Sequence, residues 1–490
     1  MKKFQNTVGG QQVDAKGCFE SFDPYTGKAW ALIPEDGPAD VEAAVATAKS
    51  AFYSNEWRGM TATERGKLLN RLAELIEQNV ERLAALETND NGKLIAEMRS
   101  QVGYLAEWYR YYGGLADKIE GSVLPIDKPN MFAFTRREPL GVIAAIMPWN
   151  SPLLLLTWKL APLLAAGNTV VIKPSEHASA STLEFVKLFA EAGFPPGVVN
   201  TVTGMPMEVG APLVSHPDVA KVAFTGGEPG GLAVYRAAAD QLKTVTLELG
   251  GKSANIVFED AYVENAIKGV ISGIFAASGQ TCIAGSRLLV HRSVHDRVVE
   301  GLVKLAKTAR IGNPAEVTTQ VGPVTTQQQR EKILDYMQIA SSEGAEAVLG
   351  GGAPSAPELG DGWFVEPTIF TGVDNKMRIA QEEIFGPVLS VIPFDDEDEA
   401  FAIANDSPYG LAAGIWTQNI GRALRGSEAM EAGTVWVNTY RTVSYMAPFG
   451  GYKRSGIGRE SGQEAINAYL QTKTVWIDAL GETANPFMIR

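Results

Sequence analysis

The hydrophobic positions of this sequence follow two periods in turn. Between residues 64 and 87, Leu68, Leu72, Leu75, Ile76, Leu83 and Leu86 recur at helical spacing, which predicts one amphipathic helix with a buried stripe. From Gly141 the pattern changes to short apolar runs that end in turn residues. Val142-Ile143-Ala144-Ala145-Ile146 stops before Pro148, and Thr169-Val170-Val171-Ile172 stops before Pro174. Neither run alternates with polar residues, so both predict strands buried on two faces, as in a parallel sheet. A helix over 181–191 and strands over 198–202, 221–224 and 244–249 continue the alternation and imply a doubly wound α/β unit. A second run begins at Ser253, with a helix over 261–277, a strand over 287–291, a polar helix over 327–342 and a strand over 387–393. Residues 121–137 and 472–477 have isolated strand character and predict a small protruding sheet.

A chain of 490 residues is too long for one hydrophobic core, so more than one unit is expected. Hydrophobic residues at 45% and charged residues at 20% are ordinary for a globular chain, and no biased tract suggests disorder. The net charge of −13 argues against nucleic acid or an anionic membrane as partner, because both call for a basic patch. Met1-Lys2-Lys3-Phe4 is followed by no apolar segment, so no signal peptide is expected. The longest apolar stretch, 153–166, contains Lys159 and Pro162, which is wrong for a spanning helix. Cys18 and Cys282 are the only cysteines and make no disulfide framework, so a reducing, cytoplasmic location is expected. His177, His216, His291 and His295 fall in no metal-ligating spacing, and no metal is expected.

Several residues carry candidate chemistry. Gly279-Gln280-Thr281-Cys282 follows a helical face of Ala266, Val270 and Ile274, which puts Cys282 in a turn between elements. A turn can present a thiol to a cleft, but a small buried Cys fits the same pattern. Glu248 ends the apolar run Val245-Thr246-Leu247, where desolvation would raise its pKa toward the range of a general base; pairing with Lys252 is the alternative. The following Gly250-Gly251-Lys252-Ser253 is no phosphate-binding P-loop, since Thr246 stands where that pattern needs Gly. Pro148-Trp149-Asn150 follows a strand end, so Asn150 either donates to a developing oxyanion or caps the next helix. Lys173-Pro174-Ser175-Glu176 closes another strand, where a carboxylate can accept hydrogen bonds from ribose hydroxyls. The glycines of Phe224-Thr225-Gly226-Gly227-Glu228-Pro229-Gly230-Gly231 either admit a dinucleotide close to backbone or form a plain turn.

In this order and spacing, these motifs resemble the aldehyde dehydrogenase superfamily. The resemblance runs from Asp23-Pro24-Tyr25-Thr26-Gly27 to Thr472-Lys473-Thr474-Val475 and includes Glu382-Glu383-Ile384-Phe385-Gly386-Pro387 and Pro448-Phe449-Gly450-Gly451. It implies an NAD(P)-binding domain of Rossmann-like, doubly wound α/β type over 1–120 and 138–250, and an α/β catalytic domain over 251–450. It also implies a small β oligomerisation sheet from 121–137 and 468–490, and so a homodimer or homotetramer. Cys282 is implied as nucleophile, Glu248 as general base and Asn150 as oxyanion donor. Lys173 and Glu176 are implied to hold the adenosine ribose and Glu383 the nicotinamide ribose, with Trp149, Phe385, Leu249, Gly226 and Gly227 lining the cofactor cleft. Glu176 favours NAD, while Lys173 and Ser175 leave NADP open.

The family often has Ser where this chain has Gly227, so a hydroxyl contact to phosphate is missing, and Pro229-Gly230 follow. Relatives that pass the acyl group to coenzyme A commonly lack the Glu, so Glu248 implies water as acceptor. The resemblance places Ser151, Leu154, Leu155, Trp158, Phe275, Thr281, Ile283, Tyr440 and Tyr445 around a substrate tunnel. Its apolar character points to aromatic or medium-chain aldehydes. Semialdehyde-type relatives carry an Arg at the position of Trp158, and Arg441 keeps a semialdehyde open. A non-catalytic structural member of the fold is the remaining alternative.

Overall fold

Asn79 interrupts the first amphipathic stripe. What the spacing predicts as one helix over 64–87 is two in the computed structural model, which describes residues 1–481 and 485–487. They are α1 (Ala62–Gln78) and α2 (Val80–Asn91). Asn79 between them leaves helical geometry (φ −113°, ψ 11°) and turns its amide onto the Leu75 carbonyl at 2.8 Å, a local bond that competes with the helical ladder. A third helix, α3 (Ile95–Leu115), buries Leu105, Trp108, Tyr109 and Tyr112. It has no counterpart in the sequence reading.

The predicted strand–helix alternation follows. Strand β1 (Met131–Pro139) leads into β2 (Val142–Ile146), α4 (Pro152–Ala165), β3 (Thr169–Lys173), α5 (Ala180–Ala192) and β4 (Val199–Thr201). Then come β5 (Val219–Thr225), α6 (Glu228–Ala239) and β6 (Thr244–Glu248). The sheet order is β4-β3-β2-β5-β6, all parallel, with Gly456–Ile457 added antiparallel at the β6 edge. The winding reverses between β2 and β5. At such a switch point the loops leaving the two strand ends diverge and open a crevice. Here those loops begin at Met147 and Gly226.

After only five residues, 249–253, a second sheet begins at β7 (Ala254–Val257). It continues through α7 (Val263–Phe275), β8 (Arg287–His291), α8 (Gln327–Ser342), β9 (Thr368–Thr371), β10 (Val388–Phe394), β11 (Ala412–Trp416) and β12 (Thr434–Val437). Its order is β9-β10-β8-β7-β11-β12, parallel throughout, with Glu346–Leu349 antiparallel on the β9 edge. Because 249–253 joins the carboxyl end of one sheet to the amino end of the next, those two ends face one cleft. The last strand, β13 (Leu470–Asp478), pairs antiparallel with β1 over nine residues, and Val123–Leu124 lies on the other side of β1. Residues 482–484 and 488–490 of the expected 468–490 segment lie outside the described residues.

Helix α4 comes from the apolar stretch that Lys159 and Pro162 interrupt. Among the described residues no helix is long and apolar enough to cross a membrane. Lys159 sits inside the protein because Glu460 meets it at 2.7 Å and Thr225 Oγ1 accepts a second bond at 2.7 Å. A buried charge needs such partners.

Candidate active site

The crevice holds a cavity of about 490 Å³ lined by residues of both sheets. Met147, Pro148, Trp149 and Asn150 come from the end of β2, Lys173, Ser175 and Glu176 from that of β3. Thr225, Gly226 and Gly227 come from the end of β5, and Glu248, Leu249 and Gly250 from that of β6. Cys282, Glu383 and Phe385 reach it from the second unit. Of the residues singled out in the sequence for catalysis and cofactor, every one lines this cavity. Among the described residues no three His, Cys, Asp or Glu side chains gather as a metal site.

The backbone leading to Cys282 is held away from its preferred conformations. Helix α7 ends at Phe275, and the next residues, Ala277 (φ 52°) and Ser278 (φ 52°), are left-handed without being glycine, a costly state that persists only when neighbours enforce it. The neighbours are present: Glu97 accepts the Ala277 N–H at 3.3 Å, Ser278 Oγ donates to the Gly322 carbonyl at 2.8 Å, and the Thr325 N–H donates to Gln280 Oε1 at 2.9 Å. On the far side the Tyr440 hydroxyl donates to the Ile283 carbonyl at 3.0 Å. Burial pushes the Cys282 thiol up to about 12, and the carboxylates of Glu248 and Glu383 push the same way; the backbone N–H groups of Ile283 and Cys282 oppose them. A thiol raised this far stays protonated near neutral pH.

Glu248 lines the same cavity as Cys282. It is buried, neither carboxylate oxygen has a hydrogen-bond partner within the protein, and its pKa is raised well above the ordinary value by burial first and by Glu460 second. Lys159 and Arg459 pull it back down. Lys252, the alternative partner, does not pair with it: the Lys252 ammonium is buried without a hydrogen bond and is lowered to about 7 by burial. Asn150 Nδ2 donates to the Gln280 carbonyl at 3.0 Å. That bond aims the amide at the Cys282 turn and leaves its second N–H free for an oxygen on the reacting carbon. Ser151, not Asn150, is the residue before α4, so the capping alternative for Asn150 falls away.

The other end of the cavity suits a dinucleotide. Gly226 permits a close approach: a Cβ there would lie 2.6 Å from the Phe224 ring, and Gly227 is the residue that precedes α6, where a Cβ would meet only Pro229 at 3.9 Å. Backbone N–H groups at a helix start favour a phosphate, although Pro229 removes one donor and Glu228 adds a negative charge. Arg454 and the Tyr409 hydroxyl, the latter at 2.9 Å, hold that carboxylate. Lys173 is buried, with Nζ 3.3 Å from Glu176 Oε2. Burial lowers its pKa and Glu176 raises it. Glu383 accepts the Gly251 N–H at 3.0 Å, and Trp149 meets Phe385 edge to face at 5.3 Å.

The tunnel residues divide. Ser151, Leu154, Leu155 and Trp158 share one face of α4, and Trp158 stacks on Trp108 at 6.0 Å and meets Phe449 at 4.9 Å. Tyr445 packs on Trp108 at 5.8 Å and on Tyr104 and Tyr111, while Thr281 and Ile283 flank Cys282. Of the residues expected around a tunnel only Leu155 lines the main cavity, and Tyr440 and Phe275 are among those that do not. Tyr440 is buried against Gly273, Gly285 and Gly414, because its ring supports the Cys282 turn from behind. Phe275, at the end of α7, faces a separate cavity of about 360 Å³ with Lys268, Ile271 and Leu305. Tyr104, Trp108, Lys159 and Glu460 were missed by the sequence reading. Only Lys159 left a signal there, as a charge inside an apolar run.

Comparison with known proteins closes the question of family. The profile of the "Aldehyde dehydrogenase family" matches residues 12–475. The chain belongs to the aldehyde dehydrogenase family. A relative from Acinetobacter baylyi, "(Z)-2-((N-methylformamido)methylene)-5-hydroxybutyrolactone dehydrogenase", is 49% identical with all of both chains covered. The betaine aldehyde dehydrogenase of Bacillus subtilis is 42% identical over 95% of each chain. Among solved structures, betaine aldehyde dehydrogenase from Staphylococcus aureus with NAD+ superposes with a TM-score of 0.97 at 39% identity, covering all of both chains. The NAD+ complex of aldehyde dehydrogenase from Bacillus cereus gives 0.95 at 45% identity over 97% of each. The protein is therefore an oxidoreductase, an NAD(P)-dependent aldehyde dehydrogenase.

Proposed function

We propose that this aldehyde dehydrogenase forms a covalent adduct on Cys282 and releases a carboxylic acid by hydrolysis. The observation that carries the reading is that Cys282, Glu248 and Asn150 line one cavity with Lys173, Glu176 and Glu383. Glu248 takes the thiol proton, and sulfur bonds to the aldehyde carbon. Asn150 Nδ2 and the Cys282 N–H hold the resulting oxyanion, a type of contact worth about 3 kcal/mol in the transition state. Bound NAD supplies the acceptor for the hydride that leaves this carbon. Once Glu248 has passed the thiol proton to solvent, it removes a proton from water, which attacks the thioester and expels the Cys282 thiolate. With Glu248 in place, water is favoured over coenzyme A as acyl acceptor.

On the cofactor side, Lys173 and Glu176 take the adenosine ribose, Glu383 the nicotinamide ribose, and Gly226 and Gly227 the phosphates, with Trp149, Leu249 and Phe385 as walls. Residues 1–120 with 138–250 serve as the cofactor domain, 251–450 as the catalytic domain, and 121–137 with 468–490 as oligomerisation segments. The aromatic walls from Trp108, Trp158, Tyr445 and Phe449 favour a substrate with a flat or medium-length apolar body.

The test is reduced-cofactor formation with NAD and a panel of aromatic and aliphatic aldehydes, to which betaine aldehyde and the hydroxybutyrolactone of the Acinetobacter baylyi relative are added. Wild-type protein is expected to release free acid in step with NADH. Turnover that survives Cys282→Ala, or acyl-coenzyme A as product, would sink the reading.

A further inference from the structure

Lys252 is a buried cation to which the proposed mechanism gives no task. It is 2% exposed, and its ammonium has no hydrogen-bond partner among the described residues. A charge so placed is costly unless something close balances it. Arg287 is no help, being a second cation, held by the carbonyls of Lys252 at 2.8 Å and Ala404 at 2.7 Å and by Asn375 Oδ1 at 2.9 Å. The carboxylate that shares a space with Lys252 is that of Glu383. Both line a small cavity of about 10 Å³, the scale of one water molecule, together with Ser286 and with Gly279 and Thr281 of the Cys282 turn.

Glu383 also lines the large cavity, so it stands between the proposed cofactor cleft and this small space. Two segments hold it. From α8, Gln329 Nε2 donates to the carbonyls of Ile384 at 2.8 Å and Phe385 at 3.0 Å, and Lys332 Nζ to that of Glu383 at 2.9 Å. These bonds fix the backbone of Glu383. On the facing side the Gly251 N–H donates to Glu383 Oε1 at 3.0 Å, and a Cβ on Gly250 would lie 2.1 Å from Oε2. The segment 249–253 therefore closes on the carboxylate itself, and Lys252 is its next residue. Burial pushes Glu383 toward its protonated form and Glu228 pushes the same way, while the Gly251 N–H, Lys332 and Lys252 oppose them. Cys282 and the Tyr409 hydroxyl, which also feel Glu383, are raised and neutral near pH 7. Lys252 is lowered to about 7 by burial first and by Arg287 and Lys332, with Glu383 raising it. It is thus charged on the acid side of neutrality, where Glu383 would otherwise take up a proton. An ionised carboxylate makes the stronger bond to a hydroxyl donor.

We propose that Lys252 is a positioning residue for the cofactor: its ammonium is the counter-ion that holds the Glu383 carboxylate ready for the nicotinamide ribose. The proposal rests on the reading of Glu383 as the group that takes that ribose.

The experiment measures Kd for NAD and for ADP by titration calorimetry at pH 6 and pH 8. ADP carries the adenosine half and lacks the nicotinamide ribose. Wild-type Kd for NAD is expected to change by less than about twofold between the two pH values. Lys252→Met should weaken NAD by about tenfold at pH 6, the equivalent of one pKa unit, and by less at pH 8, with ADP bound as before. Glu383→Gln should weaken NAD at both pH values, and adding Lys252→Met should then cost nothing more, because the group to be held is gone. Lys252→Met without effect on NAD, an equal loss of NAD and ADP, or a full further loss in the double variant overturns the proposal. If Glu383→Gln binds NAD as the wild type does, the ribose reading itself fails and the role of Lys252 falls with it. Melting curves identify a variant that does not fold, in which case Lys252→Gln, also without the charge, should show the same loss at pH 6. Should neither fold, the wild-type profile decides: NAD binding that weakens about tenfold from pH 8 to pH 6 means that the ammonium does not hold the carboxylate.

Discussion

Cys282 and Glu248 have to be understood together, because each alone is in the wrong protonation state for its task. The thiol, pushed up to about 12, is protonated at neutral pH, and Glu248 is raised by burial and Glu460. A carboxyl with a raised pKa is an acid at low pH and a base only above that pKa. We therefore expect kcat/KM to rise with pH as Glu248 loses its proton, and Glu248→Gln to remove that rise. The same variant should give a first burst of NADH and then stall, since the thioester lacks its hydrolytic base; undiminished steady turnover would contradict this. Asn150→Ala should lower kcat by about a hundredfold to a thousandfold with the fold intact, read from steady-state rates and a melting curve. Lys159 and Glu460 make a stability prediction. Lys159→Met leaves Glu460 buried and unpaired, at a cost of about 3–5 kcal/mol, whereas adding Glu460→Leu should recover much of it in urea unfolding. Additive losses in the double variant would deny the coupling. At this scale Cys282, Glu248 and Asn150 were legible as residue types at suggestive places. Their protonation was not, because it depends on Glu460, Lys159 and Glu383, which are distant in sequence.

At the scale of elements, the glycine run after β5 carries Gly227 where the resemblance leads one to expect a serine. Gly227 starts α6 with no side-chain cap. Gly227→Ser would add a hydroxyl at that helix start, which is worth a few tenths of a kcal/mol in capping and one donor toward a phosphate. The expected result is a lower KM for NAD with little change in kcat; an unchanged KM would mean the phosphates do not lie at this helix. Buried strands β2, β3, β5 and β6 were legible because an uninterrupted apolar run has few alternatives. The break at Asn79 was not, since the leucine stripe continues across it and only the side-chain bond to Leu75 decides for two helices. Helix α3 was overlooked rather than hidden: its buried Ile95, Met98, Val102, Leu105, Tyr109 and Tyr112 recur at helical spacing along one face.

For the whole molecule, the sheet of β1 and β13 leaves Met131, Phe132, Trp476 and Ile477 exposed, an apolar surface that fits the proposed homo-oligomer. Trp476→Glu should shift the mass measured by light scattering toward the monomer; an unchanged mass would place the contact elsewhere. From sequence alone came the alternating sheets, the class of chemistry, the three residues proposed for catalysis and the strand ends that carry two of them. These were legible because periodicity, strand termination and short motifs are local properties. Tertiary structure alone decided which side of Cys282 each group occupies. It turned Tyr440 to the back of the Cys282 turn and Phe275 to another cavity, and it brought Lys159 to Glu460 inside the protein. The physical reason is that charge and burial act through space: a lysine acquires its role from the carboxylates and hydroxyls that folding places around it, and no spacing along the chain encodes those distances.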